Sequence, residues 1–141
     1  MNRAVLSIPG IIDLASAYYG SAVLFAALEV DAFTAVQKVG AGATCAALAQ
    51  QAGTNARGMR LLLDACVALG LLEKTGDVYA NTPASAMTLV SGAPYDLTRA
   101  IRYNRDVYPA WGRAVELVRT GHPVEAPEIH LGETPSGRAG S

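Results

Sequence analysis

The sequence predicts a mainly α-helical fold: a winged helix-turn-helix core with a small two-stranded wing, extra helices at both ends, and an intertwined homodimer as its working form. Three observations carry this. The segment from Thr44 to Pro83 holds two helices and two short strands with their caps and turns in order. The stretch before it, Ile11 to Val30, is apolar on nearly every face. Hydrophobic residues make up 51% of the 141 residues and charged residues only 16%, which is lean in charge for a surface that faces water alone.

At the N-terminus, Arg3, an apolar stretch and Ala15-Ser16-Ala17 imitate a secretory signal, but Pro9 and Asp13 interrupt the apolar region and the pattern runs on past the supposed cleavage site. Ile11 to Val30 carries Asp13 and Glu29 and lacks basic flanks, so it reads as a long helix and not as a membrane span. Its stripes are Ile11, Ala15, Tyr18, Ala22 and Phe25; then Ile12, Tyr19, Val23 and Ala26; then Leu14, Ala17, Leu24 and Leu28. Only Asp13, Ser16 and Gly20 form a polar line. A helix apolar nearly all round must be covered on nearly all sides, which one small module does not achieve alone. Packing against a second copy solves this, with Ile11, Leu14, Tyr18, Val23, Leu24, Phe25 and Leu28 as the candidate dimer interface; the competing solution is the central helix of a monomeric core.

Asp31 to Lys38 reads as a short helix closed by Gly40-Ala41-Gly42. That loop superficially resembles a dinucleotide fingerprint, but Cys45 stands where the third glycine belongs and Asp64 falls inside a helix. Thr44 caps a helix that Gly53 ends, and Asn55 caps the next, on which Met59, Leu62, Cys66 and Leu69 recur at steps of three and four before Gly70. Leu71 to Lys74 and Val78 to Asn81 flank the turn Thr75-Gly76-Asp77, and Thr82-Pro83 caps a helix running to Val90. Asp96 to Asn104 and Tyr108 to Arg119 read as two further helices separated ahead of Pro109. Residues 1–121 are thus expected to form one domain and 122–141 a linker. Thr134-Pro135 repeats the cap signature with only six residues after it, which favours a cut from a longer chain.

Charge excludes a globally basic nucleic-acid binder: eleven Lys and Arg against twelve Asp and Glu give a net charge of -1. Arg57 and Arg60 lie where a DNA-reading helix contacts bases, but Asp64 shares their face and is expected to pair with Arg60, and the wing offers Lys74 beside Asp77. Cys45 and Cys66 lack paired spacing and read as reduced, packed thiols of a cytoplasmic protein. His122 and His130 stand apart in a Pro-rich tail, so no metal site is expected. Arg99, Arg102 and Arg105 read as a solvated face tied to Asp96 and Asp106. Tyr103, Asn104, Tyr108 and Trp111, together with Tyr18, are the candidate wall of a pocket for a flat organic molecule, with core packing as the competing account.

The strings DLASAYYGSAVLFAALEVDAF, RLLLDACVALGLLEK, YANTPAS, YPAWGRAVELVRTG and LGETPSGRA resemble, in their order and spacing, the amino-terminal dimerisation domain of S-adenosylmethionine-dependent small-molecule O-methyltransferases, in particular the bacterial natural-product tailoring group. The resemblance runs from about Ile11 to Arg138. It implies an interlocked dimer around a winged-helix core without DNA binding, which helps close the substrate pocket of a catalytic domain. It also implies that the segment similar to Leu131 to Ala139 leads into a Rossmann-like domain with the cofactor loop and a catalytic histidine, none of which these residues contain. Catalytic and cofactor-binding residues are therefore expected to be absent, and the expected function is that of a dimerisation and substrate-lid domain of a truncated O-methyltransferase. The alternatives are a winged-helix transcription regulator and a stand-alone small-molecule-binding or cyclase domain. Calorimetry of this chain with S-adenosylmethionine is expected to show no tight, stoichiometric binding; a stoichiometric isotherm refutes that reading.

Overall fold

A computed structural model describes residues 4–124. His130, the Thr134-Pro135 signature and all but the start of the expected 122–141 linker lie outside the described residues. The chain forms two compact units, the first ending at Thr98 and the second beginning at Arg99.

The first unit opens with α1 (Ile8–Ser16) and α2 (Tyr18–Glu29). The helix begins three residues earlier than the sequence suggests. Ser7 caps it, its hydroxyl accepting the Gly10 N–H at 3.2 Å, and Pro9 occupies the first turn, where a missing N–H costs nothing. The expected single helix is broken at Ala17, whose N–H bonds Leu14 three residues back. Ser16 explains the break, since its hydroxyl donates back to the carbonyls of Ile12 and Asp13 at 3.1 and 3.4 Å and so competes with the helical ladder.

Asp31, in the left-handed conformation, turns the chain into α3 (Ala32–Val39), and a short 3-10 turn at Gly40–Gly42 leads to α4 (Cys45–Ala52) and α5 (Ala56–Ala68). The expected caps all form: Thr44 and Asn55 accept the N–H groups of Ala47 and Gly58, and Gly53 takes φ 69° at the end of α4. Strands β1 (Leu72–Thr75) and β2 (Val78–Asn81) pair antiparallel in the register Leu72↔Asn81 to Thr75↔Val78. The first strand starts one residue later than expected because the Leu71 N–H still bonds the Cys66 carbonyl and belongs to the end of α5. Gly76, at φ 62°, supplies the positive φ the two-residue turn requires. The hairpin is anchored in a way the sequence does not announce: the Tyr79 N–H bonds the Ala43 carbonyl at 2.9 Å, and Thr44 bridges to Val78.

The core is contributed by the inner faces of these elements. Ala27 and Leu28 come from α2, Phe33 and Val36 from α3, Cys45 and Leu48 from α4, Leu72 and Tyr79 from the hairpin. On α5 the buried line is Met59, Leu63 and Cys66, not the expected Met59, Leu62, Cys66 and Leu69. Leu62 is half-buried, and Leu69, at the C-cap, is 48% exposed and lies along α2, 3.6 Å from where a side chain on Gly20 would begin. The buried line steps by four from Met59 to Leu63 and by three to Cys66, the reverse order of the same two helical spacings, on a helix that packs against α4, α2 and β1 at once.

Helix α6 (Pro83–Thr88) is capped by Thr82 and stops short of Val90; buried Ser85 donates to the Leu71 carbonyl at 2.8 Å, tying it to the junction between α5 and β1. The two expected C-terminal helices are drawn differently: α7 (Thr98–Trp111) runs through Pro109 and α8 (Ala114–Thr120) follows. Pro109 removes one ladder bond without stopping the helix at once. The turns Gly112 to Pro109 and Arg113 to Ala110 then end it.

Leu63 is fully buried and Leu61 is 63% exposed. Leu63→Ala is expected to lower unfolding free energy by about 2–5 kcal/mol and Leu61→Ala to change it by no more than about 0.5 kcal/mol, read from urea midpoints.

Candidate dimer interface

Helix α1 buries no residue. Ile11, Leu14 and Tyr18 of the expected interface are 57%, 66% and 50% exposed, while Val23, Leu24 and Phe25 are half-buried. Leu28 is 5% exposed and belongs to the chain's own core, because α2 turns that side toward α3 and α5. Ile8, Ile12 and Tyr19 extend the uncovered face and are absent from the sequence-derived set. Ile8 is lost by starting the helix after Pro9; Ile12 and Tyr19 were legible in the second apolar stripe. The Tyr18 and Tyr19 rings lie 4.2 Å apart at their centroids, tilted by 55°. Full burial of each aliphatic side chain on this face gains about 1.5–3 kcal/mol, a strong pull toward any apolar cover. By length and composition the 22 residues Ile8–Glu29 also suffice to cross a membrane, a test that apolar core helices of soluble proteins pass as well.

The outer face of α5 corrects one sequence expectation. Asp64 does not find its partner in Arg60: its carboxylate turns to the hairpin, where it accepts from the Tyr79 hydroxyl and pairs with the Lys74 ammonium at 3.1 Å. The Tyr79 hydroxyl first and Lys74 second hold the Asp64 carboxyl below its usual range. Burial, reinforced by the hydrogen bond to Asp64, pushes the Tyr79 phenol up, and its bonds to Tyr79 and Asp64 raise the Lys74 ammonium. Lys74 also sits over the Tyr79 ring, 4.9 Å from its centroid. The one wing cation and the helix carboxylate thus neutralise each other, leaving Arg57 and Arg60 as the exposed cations of α5. Deeper in, burial pushes the Cys66 thiol up to about 11, and Cys45 and Cys66 are both free and buried.

In the second unit, Asn104, Tyr108 and Trp111 share one stripe of α7 at i, i+4 and i+7, while Tyr103 points about 100° away from Asn104. Trp111 is 74% exposed and Tyr108 half-buried. Tyr18 belongs to the other unit. Arg105 pairs with its neighbour Asp106 at 2.9 Å, and Asp96 accepts the N–H groups of Thr98 and Gly92 at 2.8 and 3.1 Å, starting α7. Among the described residues no three His, Cys, Asp or Glu side chains gather as metal ligands, and His122 is exposed.

A mostly helical module with a two-stranded antiparallel sheet is consistent with the amino-terminal domain of O-methyltransferases. The family model of the O-methyltransferase dimerisation domain matches residues 12–91, and the chain belongs to that family. It is 41% identical over 116 residues to the tetracenomycin polyketide synthesis 8-O-methyl transferase TcmO of Streptomyces glaucescens, covering 80% of this chain and 34% of that protein. It is 37% identical over 118 residues to acetylserotonin O-methyltransferase of Mus musculus, covering 79% and 30%. Among solved structures, human N-acetylserotonin methyltransferase in complex with SAM superposes with a TM-score of 0.73 at 29% identity, covering 93% of this chain and 42% of that one. The chain spans about a third of the length of these curated relatives.

The depressed Asp64 carboxyl contributes stability that is fully present above its unfolded value near 3.8 and is lost as pH falls through the lower folded value. Asp64→Asn is expected to be less stable than the parent from pH 5 to 8, with the gap narrowing as pH falls below the unfolded value near 3.8 and through the lower folded value, measured by urea unfolding across pH. A constant gap at every pH contradicts this.

Proposed function

We propose that this chain is the dimerisation and substrate-lid module of an O-methyltransferase that acts on a natural-product small molecule. In this reading two copies interlock through the uncovered face of α1 and α2, and α4, α5 and the hairpin form a winged helix that scaffolds the dimer without reading DNA. Residues up to 121 supply the association module, and 122–141 connect it to a methyltransferase domain that carries S-adenosylmethionine and the methyl transfer. Tyr18, Tyr103, Asn104, Tyr108 and Trp111 are the proposed contacts to the small molecule. The two buried thiols fit a reducing, cytoplasmic setting.

The observation that carries the reading is the exposure of Ile11, Ile12 and Leu14 in a chain of the dimerisation-domain family. A monomer leaving these side chains in water forgoes their burial energy, whereas an isologous pairing recovers it on both copies. The Asp64–Lys74 pair speaks against a DNA regulator, because it cancels the wing cation that such a protein aims at phosphates.

Light scattering of the full 141-residue chain is expected to give the mass of a dimer, and Ile11→Asp with Leu14→Asp to give a folded monomer with unchanged helical content. A monomeric parent, or co-sedimentation of the parent with neutral lipid vesicles, overturns the proposal.

A further inference from the structure

Within the first unit, a cleft of about 270 Å³ is lined by Val30, Asp31, Thr34, Lys38, Gln51 and Ser91, among others. Its walls carry one free charge of each sign. Neither the Asp31 carboxylate nor the Lys38 ammonium has a hydrogen-bond or ion-pair partner among the described residues, and the same holds for the Gln51 amide. Thr34 accepts the Ser91 N–H at 3.2 Å, so its hydroxyl hydrogen is left to donate. Asp31 is the single non-glycine residue of positive φ among the described residues, and its side chain makes no cap bond to α3. An L-residue held there without a local hydrogen bond to justify it points to a use for the carboxylate elsewhere.

Asp31 and Lys38 stand seven residues apart, two helical turns, so they share a face of α3 with their Cα atoms roughly 10 Å apart. Their charges are therefore placed to be bridged by something longer than an α-amino acid, whose two charged groups sit on one carbon. We propose that this cleft binds a small ω-amino carboxylate, its ammonium against Asp31, its carboxylate against Lys38 and Gln51, and its methylenes over Val30 and Ala35. The volume lies just below the usual range for small-molecule sites, which begins at about 300 Å³, and limits the occupant to a small unbranched molecule of this kind. The site lies within one unit of a single chain and none of its lining residues belongs to the candidate dimer interface, so its test is separate from that of the oligomeric state.

The probe is 6-aminohexanoate, titrated into the full chain and followed by amide chemical shifts. Expected are saturable shifts confined to residues around 30–38, 51–52 and 91, with weaker responses to hexanoate, hexylamine and norleucine. Asp31→Asn and Lys38→Met are each expected to weaken binding by about fivefold, the upper end for an exposed charge pair. Asp31→Asn is expected to unfold at the same urea concentration as the parent or higher, because asparagine adopts the left-handed conformation readily and no protein partner is lost. Shifts that stay linear to the solubility limit, equal responses to hexanoate, or a large loss of stability in Asp31→Asn overturn the proposal.

Discussion

The buried side chain of Tyr79 holds the first unit together. Its ring is 2% exposed beneath the helices, its N–H is bonded to the loop ahead of α4, and its hydroxyl reaches Asp64 on α5. A tyrosine whose ring is buried needs a partner for its hydroxyl, since an unsatisfied one costs about 1–3 kcal/mol. Asp64 meets that need, and Lys74 in turn balances the carboxylate. One residue thereby fixes the hairpin to α5 and to the loop ahead of α4, and the electrostatics of the outer face follow from it.

Local signals were legible where a single residue type satisfies a local backbone demand. Thr44, Asn55 and Thr82 at helix starts, and Gly53 and Gly76 at turns, all perform their expected roles. What was illegible depends on neighbours distant in sequence. Leu63 replaces Leu62 in the core because three elements surround α5, and Asp64 abandons Arg60 because Tyr79 and Lys74 arrive from the hairpin. The prolines misled in both directions, since Pro9 and Pro109 sit inside helical turns that a pattern reading ends or excludes.

The candidate interface divides along similar lines. Its apolar character was plain in the stripes of Ile11 to Val30, but which residues the chain itself consumes was not. Leu28 goes to the interior, whereas Ile8, Ile12 and Tyr19 remain outside. Sequence periodicity registers apolar residues without distinguishing the chain's own core from a partner's, since both surfaces obey the same spacing. Membership of the dimerisation-domain family supplies the context that periodicity lacks.

The uncovered N-terminal helices also bear on how the chain is made. Ile8–Glu29 leaves the ribosome before any of α3, α5 or the hairpin, and at about 5–20 residues per second it waits several seconds for the residues through Val90 that shelter Ala27 and Leu28. During that interval a nascent segment with two carboxylates and no basic residue is at its most adhesive. Its yield in a cell is therefore expected to depend on chaperone supply and translation rate as well as on the stability of the finished fold.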